Sequence, residues 1–186
     1  MEETSAFDPF QSGFRPGHGV EMALVTLTDD LRRKLDLGGS ALLILLDLMV
    51  AFDIVDHGLL AHHLADAGIC GSALQWLKSL LQGWGQRVAM GESISQHQAL
   101  NCGVLQGPIL SPMLFNIYMR PLAQLVRSFG LGCHQYADDT QLFLLMGGHP
   151  STPPDCLTSC LDAVVEWLKR SWLKLNTAKT KVLWLG

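Results

Sequence analysis

Three carboxylates in the chain stand where an apolar stretch ends or turns. Asp47 follows the run Leu42-Leu43-Ile44-Leu45-Leu46, and Asp138-Asp139 separates two short apolar stretches, Gly132–Tyr136 and Thr140–Leu145. Taken singly, each has a plain reading: a strand-end aspartate that faces water, and a tight turn of the kind that suits Asp. Yet a charge at the mouth of a buried strand is costly to desolvate without a partner. Two adjacent aspartates in a turn also repel, and a cation between them relieves the repulsion. Together the two positions point to a hard-metal centre. Mg²⁺ takes oxygen ligands, typically one or two carboxylates completed by substrate phosphates. Two-metal sites hold such ions roughly 3.5–4 Å apart, one at the attacking and one at the leaving oxygen. The chemistry these residues suggest by themselves is phosphoryl transfer.

The elements that must position them are readable from periodicity. Met22–Leu37 has Leu24, Leu27, Leu31 and Leu35 on one helical stripe, stopped by Gly38-Gly39. Ser40–Leu46 is a continuous apolar run of strand length, the pattern of a strand covered on both faces. Asp56–Ala67 and Ser72–Gln82 read as helices ending near Gly68 and Gly83. Gln86–Met90 and Ser95–Leu100 flank Gly91-Glu92 as a hairpin. Ser111 followed by Pro112 reads as an N-cap with proline at N1, opening a helix to about Phe129. Gly132–Tyr136, a turn at Ala137-Asp138-Asp139, and Thr140–Leu145 form a strand–turn–strand. Asp155–Trp172 is a helix and Thr180–Leu185 a last strand, with a Gly- and Pro-rich loop at Gly147–Pro154 before them. Strands and helices mix without strict alternation, so the expected class is α+β: an antiparallel sheet with helices packed on one face.

Composition bounds the rest. The chain has 186 residues, 48% hydrophobic and 16% charged, with a net charge of −4. Its apolar share excludes intrinsic disorder, and its length suits one domain or a large part of one. The charge balance at first argues against a nucleic-acid binder. The charge is uneven, however: twelve acids and six bases in residues 1–93, five acids and seven bases in 94–186. Five cysteines, at 70, 102, 133, 156 and 160, follow neither a disulfide framework nor a zinc spacing. They fit a reducing, intracellular setting, nucleus or cytoplasm. The polar N-terminus is no signal peptide, and the longest apolar run, Ala41–Leu46, is too short to span a bilayer, so no membrane partner is expected.

Five segments then carry a resemblance. Tyr136-Ala137-Asp138-Asp139 is the Y-A-D-D box of reverse transcriptases. Leu46 to His57 (LDLMVAFDIVDH) resembles the "LDLSAAFDTVDH" segment of non-LTR, LINE-type retrotransposon reverse transcriptases. Gly103 to Pro112 (GVLQGPILSP) resembles their "GVPQGSVLSP" segment, and Gln11 to Gly17 matches their "QSGFRPG". Leu173-Lys174-Leu175-Asn176 through Lys179-Thr180 resembles the later "LKLNxxKT". Their order, from about Phe7 to the C-terminus, is the family's order. The resemblance implies a polymerase palm: residues 1–186 would be a partial reverse transcriptase domain, a palm with a short piece of fingers, without the upstream fingers, thumb or endonuclease.

The resemblance also implies roles. Asp47 and Asp138 would be the two main metal ligands, with Asp139 the third carboxylate, around two Mg²⁺ ions for which Mn²⁺ is an alternative. These would activate a primer 3′-hydroxyl and stabilise the departing pyrophosphate. Phe52, five residues after Asp47, would exclude a 2′-hydroxyl and favour deoxynucleotides, although core packing is an equal reading. Gln106 and Gly107 would line the nascent base pair, Lys179 would help protonate pyrophosphate, and Arg15 would contact nucleic acid or form a surface ion pair. Asp53 and Asp56 read as structural, Asp56 as a helix N-cap. Leu105 and Pro108 depart from the family's proline and serine, and Met49-Val50 from its small pair. The expected function is RNA-directed DNA synthesis on an RNA template with a DNA primer and dNTPs. The alternative is a catalytically inactive, retrotransposon-derived remnant serving as an interaction module or without function. A metal-dependent nuclease, the third class weighed, gives no account of Phe52 or the Gln106-Gly107 loop. A palm stripped of basic fingers and thumb also explains the charge of −4, because phosphates reach acidic residues through Mg²⁺.

Overall fold

The structure is a computed structural model describing residues 7–104, 110–148 and 154–186. Helix α1, Val20–Asp36, buries Leu27 and Leu31. It is followed by a tight reversal at Gly38, whose φ of +74° favours a residue without Cβ. The chain then enters β1, Ser40–Leu46, and a two-residue β2, Leu48–Met49. Helices α2, His57–Asp66, and α3, Gly71–Leu81, come next. The predicted hairpin exists but is broken into two short ladders. In these β3, Gly85–Gln86, pairs with β6, Gln98–Ala99, and β4, Ala89–Met90, pairs with β5, Ser93–Ile94. Residues 82–99 are all exposed, so no core sets a longer register there.

Helix α4, Leu110–Ser128, is the central helix. It is already helical at Leu110, so Ser111 is not its N-cap; the serine is a buried residue inside the first described turn. Strands β7, Gly132–Tyr136, and β8, Asp139–Met146, form the hairpin expected around Ala137-Asp138. Helix α5, Asp155–Arg170, then leads to β9, Lys174–Leu175, and β10, Lys181–Leu185. The four long strands make one antiparallel sheet in the order β10-β1-β8-β7, and β2 pairs with β9 beside it.

The α+β class and antiparallel sheet are as expected, but the helices are not confined to one face. Leu42, Ile44 and Leu46 of β1 enter a large core with side chains from α2, α3, α4 and α5. Ala41 and Leu43, pointing the other way, meet Leu27 and Leu31 of α1 together with Phe143. Successive side chains of a strand alternate faces, so a strand apolar at every position needs cover on both. The unbroken run in β1 carried that requirement.

Tyr118 ties the helical layer together. It is fully buried, and its hydroxyl donates to the Ser171 carbonyl at 2.7 Å while lying 3.4 Å from the Asp56 amide. One side chain of α4 thus joins the start of α2 to the end of α5. Burial pushes its phenol up to about 12.

Candidate active site

The three carboxylates stand at neighbouring strand ends, near enough that Asp138 and Asp47 act on Asp139 electrostatically. Leu46 of β1 pairs with Thr140 of β8. The ladder ends there, with Asp47 directly after Leu46 and Asp139 directly before Thr140. Asp139 in turn closes the β7–β8 hairpin by pairing with Tyr136, which leaves Ala137 and Asp138 as the two turn residues. Asp47 and Asp138 are half-buried and Asp139 is exposed. Their fields overlap: the Asp139 carboxyl is held above its ordinary value, first by partial desolvation and then by the Asp138 and Asp47 carboxylates.

Asp47 is held from the other side by the L-K-L-N segment. Leu48 pairs with Leu175 and Met49 with Lys174, and the Asn176 amide donates to the Asp47 carbonyl at 2.8 Å. The next turn is sharp. Val50 has φ +44°, a conformation rare for a β-branched residue, and its carbonyl accepts from Asp53 N at 3.0 Å. The turn brings Phe52 back onto the core, where its ring stacks on Phe115 with centroids 4.4 Å apart. Phe52 remains half-buried, so packing and an exposed edge coexist. Asp56 caps α2, accepting from Leu59 N at 2.8 Å, while Asp53 is exposed.

Gln106 and Gly107 lie outside the described residues. The chain leading to them is anchored to the Asp47–Asp56 segment. Val104 N donates to the Phe52 carbonyl at 2.9 Å, Gly103 N to the Val55 carbonyl at 2.8 Å, and the Gly103 carbonyl accepts from His57 Nε2 at 2.7 Å. Lys179 is exposed in the turn after β9; its amide closes that turn onto the Asn176 carbonyl at 3.2 Å. Arg15 spends its guanidinium inside the chain, donating to the Asp8 and Gln11 carbonyls at 2.9 Å each and lying 5.5 Å over the Phe7 ring.

Sequence reasoning did not assign the residues behind the Ala137-Asp138 turn. Gln11 is fully buried and hydrogen-bonds to Ala137, and Gly13 packs against the same residue. The signal was present, because a polar Gln-Ser-Gly opens the Q-S-G-F-R-P-G segment. Glutamine carries no charge and no chemistry of its own, so its type alone does not mark it as a site residue.

Among the described residues no group of three or more His, Cys, Asp or Glu side chains is placed so that it could hold a metal ion by itself. Asp47, Asp138 and Asp139 therefore do not make a closed ligand set. That suits a hard cation finished by substrate oxygens. The mutual repulsion felt at Asp139 is the demand such a cation would answer. Among the described residues no helix is long and apolar enough to cross a membrane.

The sequence matches the reverse transcriptase (RNA-dependent DNA polymerase) family over residues 1–185. It is 30% identical over 187 residues to an RNA-directed DNA polymerase from the mobile element jockey of Drosophila funebris, covering 96% of this chain and 20% of that protein. It is 28% identical to a probable RNA-directed DNA polymerase from transposon BS of Drosophila melanogaster, covering 97% of this chain and 20% of that protein. The chain therefore spans about a fifth of the length of these relatives. In structure it is similar to Candida albicans telomerase in complex with a fragment of telomeric RNA (TM-score 0.67, 14% identity, 92% of this chain and 31% of that one). It is similar also to apo telomerase from Candida tropicalis (TM-score 0.68, 15% identity, 93% and 36%). At such identities the likeness speaks for the fold alone.

Proposed function

The chain belongs to the reverse transcriptase (RNA-dependent DNA polymerase) family, and on that premise we propose that it carries the palm catalytic centre of a non-LTR retrotransposon polymerase. The reaction is addition of deoxynucleotides to a primer 3′-hydroxyl opposite an RNA template. The observation that carries this reading is Asp47 at the end of the β1–β8 ladder, beside Asp139 and the turn residue Asp138, with Asp47 and Asp138 both acting on the Asp139 carboxyl.

Reverse transcriptases generally use divalent metal ions, and Asp47, Asp138 and Asp139 are the residues that would hold them here, as two Mg²⁺. When bound, the ions lower the pKa of the attacking hydroxyl and neutralise charge on the leaving pyrophosphate. The chain's own residues supply position. The β1–β8 ladder and the β7–β8 turn set the spacing of the acids, which matters because phosphoryl transfer is catalysed by positioning and electrostatics. Phe52, braced from behind by Phe115, presents its free edge where a nucleotide sugar would pass and bars a 2′-hydroxyl. Gln106 and Gly107 would border the base pair. Lys179 would deliver a proton to pyrophosphate, and Arg15, through the part of its surface left free, would meet the nucleic acid.

The test is Mg²⁺-dependent primer extension on an RNA template, run beside Asp47→Asn and the double variant Asp138→Ala/Asp139→Ala. Wild-type incorporation with at least a hundredfold loss in both variants is the expected result. Equal incorporation by all three proteins would overturn the site assignment. No incorporation by a chain shown to be folded would point instead to the non-catalytic remnant.

A further inference from the structure

The catalytic turn is held by a side chain that plays no part in the metal chemistry. Ala137, the first turn residue, has φ +57°, a left-handed conformation that an L-residue with a Cβ disfavours. Both its main-chain polar groups meet Gln11. The Ala137 amide donates to Gln11 Oε1 at 3.1 Å, and Gln11 Nε2 donates to the Ala137 carbonyl across a longer 3.4 Å. The same Oε1 also accepts from Gly13 N at 2.8 Å. With two N–H groups aimed at it, this atom must be the amide oxygen, so the orientation of the side chain follows from its partners. The Ala137 carbonyl belongs to the peptide plane that carries the Asp138 nitrogen. Orienting that plane orients the Asp138 Cα, and with it the carboxylate.

Gln11 is itself immobilised. Ser12 N donates to the Gln135 carbonyl and Gln135 N to the Phe10 carbonyl, each at 2.9 Å, which lays residues 10–12 along the free edge of β7. Arg15 holds the Gln11 carbonyl, and a bidentate ion pair between buried Asp8 and Arg127 pins the start of the segment to α4. Gly13 completes the fit, because a Cβ there would lie 2.3 Å from Ala137 N. Its carbonyl accepts from Asn116 Nδ2 at 2.6 Å. The turn is thus clamped between an N-terminal segment and the central helix.

We propose that Gln11 is a positioning residue for nucleotidyl transfer: its carboxamide locks the Ala137–Asp138 turn in the conformation that presents Asp138 to the reacting groups. The proposal rests on the polymerase reading above. Removing the carboxamide at constant volume frees the turn but leaves the sheet intact, so it acts on turnover more than on nucleotide affinity.

The test compares wild type, Gln11→Met and Gln11→Glu. Methionine keeps the volume without the hydrogen bonds, while glutamate keeps both accepted bonds. Amide hydrogen exchange is read at Ala137 and at Leu42–Ile44 of β1, and single-nucleotide incorporation is read for kcat and KM. Three results are expected for Gln11→Met: Ala137 exchange at least tenfold faster with β1 still protected, kcat lowered about tenfold or more, and dNTP KM within about twofold. Gln11→Glu, which keeps the accepted bonds but turns a second oxygen on the Ala137 carbonyl, gives Ala137 exchange between wild type and Gln11→Met. Unchanged exchange at Ala137, loosening of β1 to the same degree, or an unchanged kcat overturns the proposal. If the wild-type chain incorporates nothing, the polymerase reading fails by that result alone, and the exchange data still decide whether the clamp exists.

Discussion

The main-chain carbonyl of Asp47 accepts a hydrogen bond of 2.8 Å from the amide of Asn176. The bond joins residues 129 positions apart and extends the short β2–β9 ladder by one rung, from Leu48↔Leu175 towards the acid itself. The L-K-L-N segment is thereby a support for the first carboxylate. Because the donor is the main chain, its side-chain identity matters little at this bond. Asn176→Ala should therefore incorporate nucleotides within about threefold of wild type, whereas Asn176→Pro, which lacks the N–H, should lose about tenfold or more. Single-turnover incorporation by folded variants checks this, and equal rates for the two would refute the support role.

Phe52 stacks on Phe115 and is proposed to face the nucleotide sugar, and one substitution separates the two. Phe52→Val shortens the edge facing the proposed sugar site and removes the stack on Phe115. Discrimination between dNTP and rNTP, read as the ratio of kcat/KM values, should fall at least tenfold. Stability should fall by about 1–2 kcal/mol, the scale of a half-buried aromatic contact. A stability loss with discrimination intact would leave Phe52 as core packing only.

Val50 carries strain with little in return, since its side chain is 62% exposed at φ +44°. Glycine removes the clash between Cβ and the backbone, which costs roughly 1–2 kcal/mol for an L-residue in this region. It adds back part of that in unfolded-state entropy. Val50→Gly should therefore stabilise the chain by about 0.5–1 kcal/mol in chemical denaturation, and a lower midpoint would contradict the strain argument.

His134 should make the fold sensitive to mild acid. It is buried in β7, edge-on to Phe10 at 5.0 Å and stacked with Phe143 at 5.5 Å. Burial lowers its pKa; Asp30 and Asp8 oppose that, and Arg127 adds to it. The nearest Asp30 oxygen is 3.6 Å from Nε2, too far for a hydrogen bond, so burial prevails. Below 6.5 and down to the lowered folded value, the unfolded chain binds a proton that the native state refuses. Stability therefore falls as pH drops through that window. Thermal melts between pH 7 and 5 should show a shallower decline in His134→Phe than in wild type, with the similarly lowered His63 accounting for the remainder. Parallel declines would show that His134 is not the source.

Much of the sheet was legible because its strands are punctuated by residues with a single strong preference. The unbroken apolar run placed β1 at Ser40–Leu46, where it stands, and Asp138 marked the turn between β7 and β8 to within a residue. Asp56 was readable as a cap because it directly precedes a helix and carries the right side chain. The Ser111-Pro112 start was misplaced for the same kind of reason. Local signals name favourable starts, but the described helix is already under way at Leu110. Strands β2 and β9, of two residues each, have no periodicity to detect.

The amino-acid order by itself singled out the side chains proposed to carry the chemistry: Asp47, Asp138 and Asp139 stand out by type, by their place at strand ends and by the segments around them. Only the tertiary structure decided how those acids meet and what holds them there. The 46↔140 rung ends β1 beside the β7–β8 turn, the Asn176 amide holds the Asp47 carbonyl, and Gln11 meets both main-chain groups of Ala137 in the turn that carries Asp138. Those contacts all engage main-chain groups, met by other main chain or, at Gln11, by a side chain, between segments up to 129 residues apart. Their donors and acceptors are common to almost every residue, so nothing in the composition of either segment announces the other until the sheet has set its register.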